Sequence, residues 1–170
     1  TAVLRAPPVD ADRGGRVERD LLLQLRAEAA TPTTAAPAVL LAGPDDGPDE
    51  CTTFVALGDL TGDSLPEIVL TSNQDGPHVY LNLGSFRFRD ITKASGLETE
   101  KGSWTTGVVL ADVNGDGRLD IYLCRAGSGD PASRANQLWI NQGNASDGTP
   151  RFKEMAREYG VADEGYSTQA

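Results

Sequence analysis

Residues 112–120 read Asp112-Val113-Asn114-Gly115-Asp116-Gly117-Arg118-Leu119-Asp120, and this stretch decides how the whole chain is interpreted. Oxygen-bearing side chains recur at alternate positions, glycines separate and follow them, and Asp120 closes the nonapeptide. Alternate spacing can direct side chains to one centre, and Ca2+ takes roughly six to eight oxygen ligands. The same stretch also fits a polar hairpin turn, because Asn-Gly and Asp-Gly are strong hairpin signals. Taken alone, it leaves both interpretations open.

The rest of the chain repeats this stretch and its surroundings. Residues 53–97 match residues 106–161 in order, through an acidic loop, an apolar strand, an Asn-containing turn and a Phe-led segment. In the acidic loops, Asp59-Leu60-Thr61-Gly62-Asp63 parallels Asp112-Val113-Asn114-Gly115-Asp116. Several correspondences in the same order indicate a structural repeat of roughly 50 residues.

Short apolar runs separated by Gly, Asp and Asn turns predict an all-β fold. The predicted strands are Ala38–Ala42, Thr53–Leu57, Glu67–Ser72, His78–Leu83, Phe86–Ile91, Gly107–Ala111, Asp120–Cys124, Gln137–Asn141 and Phe152–Met155. Units of four strands with this period are typical of β-propeller blades, and a solenoid of stacked sheets is the alternative. The residues expected to form the core between blades are Val69, Leu70, Ile121, Leu123, Ile140, Trp104 and Trp139.

The predicted domain organisation has two parts. Residues 1–37 form an irregular segment with a short helix near 16–30, where an i, i+4 apolar stripe is followed by Thr31-Pro32. Residues 38–170 form the blades, with unit one at about 53–105, unit two at about 106–165 and a truncated third unit from about 166. Because two blades and a part cannot close a ring of about 4–8 blades, we expect further blades or other copies of the chain to complete the propeller.

The metal interpretation gives a ligand set in each loop. The second loop would use side chains of Asp112, Asn114, Asp116 and Asp120, with the Arg118 carbonyl and waters. The first loop would use Asp59, Thr61, Asp63 and Glu67 with the Leu65 carbonyl, and its weaker pattern predicts lower affinity. An EF-hand or dockerin loop is excluded, because either needs an acidic twelfth residue where this chain has Leu123.

Composition narrows the function classes. The net charge of −10 and the lack of a basic stripe argue against nucleic-acid binding. No apolar run reaches the roughly 18–20 residues of a membrane span. The single histidine, His78, has no partners at ligand spacing and is expected to be structural, and no nucleophile elbow or phosphate loop is present. The sequence therefore predicts no catalytic residues.

Two further features stay open from sequence. Cys51 and Cys124 could form one disulfide bond or remain buried thiols. Asn144-Ala145-Ser146 is a sequon that would be glycosylated only in a suitable secretory host.

The repeats resemble the FG-GAP/VCBS family, whose calcium-loop blades also occur in integrin α-subunit heads. The resemblance rests on Asp112–Asp120 with the following Ile121-Tyr122-Leu123, and on the Asn141-Gln142-Gly143 turn. More narrowly, Phe88-Arg89-Asp90-Ile91-Thr92 and Trp104-Thr105-Thr106-Gly107 look like secreted VCBS-repeat proteins related to cartilage acidic protein. The resemblance implies a propeller of about seven blades, structural Ca2+, an extracellular or cell-surface location and loops that bind partners.

The sequence thus predicts a non-catalytic, calcium-stabilised β-propeller segment that binds a protein or glycan partner. One alternative is a structural subunit of a larger extracellular assembly or filament, because unclosed sheets leave edges that can pair. The other is an accessory part of a carbohydrate-processing enzyme whose active site lies outside this chain.

Overall fold

The computed structural model describes residues 36–41, 53–72, 76–97, 104–127 and 130–168. The irregular segment predicted for residues 1–37 lies outside these ranges apart from its last two residues, as does its helix near 16–30. Cys51 also lies outside them, and Cys124 is a buried free thiol. Among the residues that the structure describes, no helix is both long and apolar enough to cross a bilayer.

The described residues form two antiparallel sheets, which confirms the all-β prediction. The first sheet has the order β1-β2-β3-β4-β5 and the second β6-β7-β8-β9, so each is a meander of neighbours in sequence. The strands are β1 Ala36–Leu41, β2 Thr53–Gly58, β3 Glu67–Ser72, β4 His78–Asn82, β5 Phe88–Asp90, β6 Trp104–Ala111, β7 Asp120–Ala126, β8 Gln137–Asn144 and β9 Pro150–Glu154.

The predicted strands are all present, and they differ from the structure mainly at their ends. Residues 104–106 extend β6 beyond its predicted start, and β5 begins only at Phe88. Two short elements were not predicted, the α-helix Thr92–Ser95 and the 3-10 helix Pro131–Arg134. Each has four residues, which is too short to show a periodic pattern.

Each acidic stretch is the connection of a β-hairpin. Gly58 pairs with Glu67 across β2 and β3, and Ala111 pairs with Asp120 across β6 and β7. The predicted hairpin placement of both loops is therefore confirmed. Since the strands are antiparallel neighbours, the β4–β5 turn lies at the same end of the first sheet as the first loop.

One shared core joins the two sheets. The first sheet and the segments that follow it contribute Ala56, Leu60, Val69, Val79, Leu81, Ile91 and Leu97, and the second contributes Val108, Leu110, Ile121, Leu123, Trp139 and Phe152. Four of the residues expected in the core between the sheets belong to this shared core: Val69, Ile121, Leu123 and Trp139. Leu70 and Ile140 instead belong to clusters on the outer faces, because successive strand residues point to opposite faces.

The prediction that Trp104 is a core residue is wrong. Trp104 is 48% exposed, whereas Trp139 is only 6% exposed. Trp104 is the first residue of β6 and its Cβ lies beside Gly127, at the end of the second sheet away from the acidic loop. Its ring therefore lies at the margin of the sheet, where none of the described strands covers it.

His78 lies at the start of β4, as the pattern predicted. It is half-buried, its ring stacks on Tyr80 with 6.2 Å between centroids, and its Nδ1 lies 3.5 Å from Asp90 Oδ2.

Candidate metal centre

Asp112 organises the second acidic loop. Its Oδ1 accepts hydrogen bonds from the backbone N–H groups of Gly115 (2.7 Å) and Asp116 (3.1 Å), and its Oδ2 accepts one from Gly117 (2.8 Å). These bonds, that of Gly117 foremost, lower the pKa of Asp112 below its ordinary value. Asp112 is exposed, so the loop presents a carboxylate that stays ionised at neutral pH.

Asn114 and Asp116 complete the inner surface of this loop. The Asp116 N–H donates both to Asp112 Oδ1 and, at 3.0 Å, to Asn114 Oδ1. The side-chain oxygens of Asp112 and Asn114 therefore lie next to each other around this N–H group. Asp116 Oδ1 accepts from the Arg118 N–H at 2.9 Å, while its Oδ2 contacts Arg118 Nη2 at 2.5 Å. A cation binding to Asp116 would therefore compete with the Arg118 guanidinium.

Asp120 differs from the other carboxylates because it is buried, with 1% exposure. Its Oδ2 accepts from the Val113 N–H at 3.0 Å, and its Oδ1 accepts from the Asn141 N–H at 2.8 Å. Both oxygens are thus engaged with backbone donors, one in the loop and one in β8. The geometry makes Asp120 a clamp that fixes the loop to the sheet.

The first loop repeats this arrangement. Asp59 Oδ1 accepts from the N–H groups of Gly62 (2.7 Å) and Asp63 (3.2 Å), and its Oδ2 accepts from Ser64 (2.8 Å). Thr61 takes the place of the amide, and its hydroxyl oxygen accepts from the Asp63 N–H at 3.3 Å. The Leu65 N–H donates to Asp63 Oδ1 at 2.8 Å, as Arg118 does to Asp116. The predicted correspondence of the two loops therefore extends to their hydrogen bonds.

Glu67 closes the first loop as Asp120 closes the second. It is fully buried, and it accepts from the Leu60 N–H at 2.8 Å and from the Asn82 N–H at 3.3 Å. Burial raises the pKa of Glu67 to about 7, although the two N–H donors act in the opposite direction. Nearby Asp63 and Asp59 raise it further.

Sequence reasoning gave no role to Asn82 and Asn141. Asn82 Nδ2 donates to the Pro66 carbonyl at 2.9 Å, and Asn141 Nδ2 donates to the equivalent Leu119 carbonyl at 3.2 Å. The signal was present, because the two residues occupy matching positions in the repeat. Each asparagine therefore holds the end of its own acidic loop.

Two asparagines of the second sheet also hold the first loop. Asn141 Nδ2 donates to the Leu60 carbonyl at 2.9 Å, and Asn144 Nδ2 donates to the Thr61 carbonyl at 2.7 Å. The first loop is thus fixed by its own sheet and by the neighbouring one. These contacts also place the acidic loops of both sheets at the same end of the pair.

The loops offer a donor set suited to a hard cation, because every side-chain donor proposed is an oxygen. In the second loop, Asp112, Asn114 and Asp116 supply exposed oxygens. Within the described ranges, however, no three His, Cys, Asp or Glu side chains converge as a ready metal cluster, and Asp120 and Glu67 point inward. The assignment of the loop residues as ligands therefore stays a prediction.

Ser64 replaces a glycine at a position that requires a left-handed backbone. Ser64 has φ 69°, and its counterpart Gly117 has φ 84°. The left-handed conformation costs a non-glycine residue roughly 1–2 kcal/mol. Glycine avoids this cost, but it loses more chain entropy on folding, which removes roughly 0.5–1 kcal/mol of the advantage. We expect Ser64→Gly to raise the free energy of unfolding by about 0.5–1 kcal/mol in urea denaturation.

The reverse change, Gly117→Ser, is the matched control for this prediction. A Cβ at Gly117 would meet no atom within 4 Å, so only the backbone conformation is tested. It should lower stability by a similar amount. If both variants are as stable as the parent protein, the left-handed backbone at Ser64 does not cost free energy and the prediction is wrong.

The comparison with known families matches the region that contains both loops. The sequence model described as FG-GAP-like repeat matches residues 59–123, from the first acidic loop to the strand after the second. Residues 59–123 are similar to an FG-GAP-like repeat. FG-GAP-like repeats are generally non-catalytic interaction modules, and they suggest an integrin-like extracellular domain of the β-propeller type. No curated protein matches the chain.

Proposed function

We propose that the chain is a calcium-stabilised, non-catalytic β-propeller segment of an extracellular protein that binds a protein or glycan partner. The observation that carries this proposal is that two acidic hairpin loops share one hydrogen-bonding pattern. Both loops lie within the residues that match the FG-GAP-like repeat. A plain polar turn needs no repeated arrangement of oxygen side chains at the first, third and fifth positions.

In the second loop, Asp112, Asn114 and Asp116 would hold the ion with the Arg118 carbonyl. Asp120 would complete the set only through a lone pair that its two backbone donors leave free. A bound Ca2+ supplies positive charge that offsets the repulsion among these carboxylates. The chain's own contribution is pre-organisation, because the N–H groups of Gly115 and Gly117 fix the Asp112 carboxylate in place. Asp120 keeps the loop attached to β8 through the Asn141 N–H.

The first loop is proposed as a weaker site. Thr61 offers a neutral hydroxyl oxygen, and Glu67 is both buried and inclined to hold a proton because its pKa is about 7. A protonated carboxyl is a poor ligand for a cation. Asp59, Asp63 and the Leu65 carbonyl would then carry most of the binding, with Thr61 and Glu67 contributing less.

Calcium should stabilise the fold by mass action. For an affinity of roughly 10⁻⁴–10⁻³ M, Ca2+ at about 10 mM should raise the free energy of unfolding by about 1.4–2.7 kcal/mol relative to a chelator. Urea denaturation with and without Ca2+ measures this difference. Asp112→Asn and Asp116→Asn should each remove most of it.

Asp147→Asn is the matched control, because Asp147 is an exposed carboxylate in the β8–β9 turn, outside both acidic loops. This variant should keep the full response to calcium. If calcium changes nothing, or if all three variants respond equally, the metal proposal is wrong. Mg2+ at the same concentration separates a calcium site from general screening of charge.

A further inference from the structure

Asn141 of β8 bonds to both acidic loops. Its backbone N–H donates to Asp120 Oδ1 at 2.8 Å, and Asp120 closes the second loop. Its Nδ2 group donates to the Leu119 carbonyl of the second loop at 3.2 Å and to the Leu60 carbonyl of the first loop at 2.9 Å. A primary amide has two N–H donors, so one side chain can hold the backbones of two loops at once.

The hydrogen bonds continue inside the first loop, because the Leu60 N–H donates to Glu67 Oε2 at 2.8 Å. The carboxylate that closes the second loop is therefore linked to the carboxylate that closes the first. The linked residues are Asp120, Asn141, Leu60 and Glu67. None of the four is more than 2% exposed, so water cannot readily replace a bond that is lost between them.

The Asn141 side chain is fixed in one orientation. Its Oδ1 accepts from the Gly143 N–H at 2.9 Å, while the Nδ2 group bonds to the loops. Since both ends of the amide are bonded, the side chain cannot turn to follow one loop without loosening its other bonds. A shift of one loop is therefore passed to the other through Asn141.

Arg118 connects the predicted ligands of the second loop to the same asparagine. Its Nη2 contacts Asp116 Oδ2, and its Nε donates to the Asn141 carbonyl at 3.3 Å. An ion in the second loop would compete for Asp116 and bind the Arg118 carbonyl. Binding would thus act on Asn141 from two sides, through Arg118 and through Asp120.

We propose that Asn141 couples the two acidic loops, so that Ca2+ bound in the second loop raises the affinity of the first loop for Ca2+. The coupling rests on the proposed function, because both loops must bind the ion. An ion in the second loop fixes Asp120, which in turn fixes Asn141 and the Leu60 carbonyl. The first loop then has less conformational freedom to lose when it binds, so its affinity rises without any change in its own ligands. Asn141 is a positioning residue, since it belongs to neither ligand set.

Amide NMR of the full chain measures the affinity of each loop separately. The resonances of Gly62 and Gly115 report on the first and second loop respectively, because each N–H donates to the first carboxylate of its loop at 2.7 Å. Ca2+ alone is the probe, added to chelator-treated protein at about 0.15 M salt, which screens exposed charges beyond about 8 Å. Asp116→Asn weakens the second loop, and the affinity measured at Gly62 should then fall at least about fivefold, the lower end of coupling between sites.

Asn141→Ser separates coupling from the simple loss of a ligand. Serine is too short to reach the Leu60 carbonyl, so in this background Asp116→Asn should no longer change the affinity measured at Gly62. Arg118→Met removes a second contact with Asn141 at a side chain that is 46% exposed. It should therefore reduce the coupling even if Asn141→Ser does not fold.

Asn144→Ala is the matched control. Asn144 is exposed and donates from β8 to the Thr61 carbonyl of the first loop, and its described hydrogen bonds do not reach the second loop. In this background Asp116→Asn should still lower the affinity measured at Gly62 by the full factor.

Four results would overturn the coupling. If both loops bind Ca2+ and Asp116→Asn leaves the affinity at Gly62 unchanged, the loops are independent and the proposed function stands. If the effect of Asp116→Asn survives Asn141→Ser, or is lost equally in Asn144→Ala, the coupling does not pass through Asn141. A shift at Gly115 without one at Gly62 shows a second loop that does not assist the first. If neither resonance shifts at about 10 mM Ca2+, roughly tenfold above the weakest extracellular affinities, the proposed function and the coupling fail together.

Discussion

Asp120→Ala is expected to lower the free energy of unfolding by about 3 kcal/mol, because two N–H groups would lose a charged acceptor. Those groups belong to Val113 and Asn141, and the bond to Asn141 is fully buried. Hydrogen bonds to charged groups contribute about 1.5–3 kcal/mol each, and water cannot readily reach Asn141 as a replacement. Urea denaturation in the presence of a chelator measures this cost without any contribution from bound metal.

Asp116→Ala is the control in the same loop. Asp116 is exposed and its contact with Arg118 lies at the surface, where such pairs contribute about 0–1 kcal/mol. In the chelator it should therefore cost far less than Asp120→Ala. Equal effects of the two substitutions would contradict the role of Asp120 as a buried clamp.

Glu67 should make the stability of the protein depend on pH. The pKa of Glu67 is about 7 in the folded protein, against 4.5 ordinarily. Between these values the unfolded chain releases a proton that the folded chain retains, so rising pH favours unfolding. The stabilisation present below pH 4.5 should thus be lost as pH rises to about 7, a change of about 3 kcal/mol at about 1.4 kcal/mol per pH unit.

Glu67→Gln isolates this effect, because glutamine does not titrate. The difference in unfolding free energy between the parent protein and the variant should shift in favour of the variant as the pH rises from 4.5 to 7. Denaturation of both proteins at several pH values, in a chelator, measures the shift. A difference that stays constant over this range would mean that Glu67 ionises in the fold as readily as in the unfolded chain.

The hairpins and strands could be predicted from sequence because their signals are local. Short apolar runs mark β3 and β7, and Asn-Gly and Asp-Gly pairs mark the second loop. Repetition then placed both loops at equivalent positions. Which face of a strand packs against which neighbour is not local information. Leu70 and Val69 look alike in sequence, yet they belong to different clusters.

The carboxylate that closes the second acidic loop shows a second limit of prediction from sequence. Asp120 and Asp116 are both acidic residues in one short loop, and their spacing suggests equal roles as ligands. The structure separates them, because β8 supplies a backbone N–H to Asp120 alone. That donor lies 21 positions along the chain, so no pattern within the loop indicates it.

The contacts of Asn141 and Asn144 with the first loop also constrain the order in which the chain can fold during synthesis. Asn141 follows Leu60 by 81 residues, and Asn144 follows Thr61 by 83. At roughly 5–20 residues per second, about 4–16 s pass after Leu60 is made before Asn141 exists to hold it. Ribosome-bound intermediates that end before β8 therefore carry a first loop held only from its own sheet. Its final geometry is set by a sheet that is translated later.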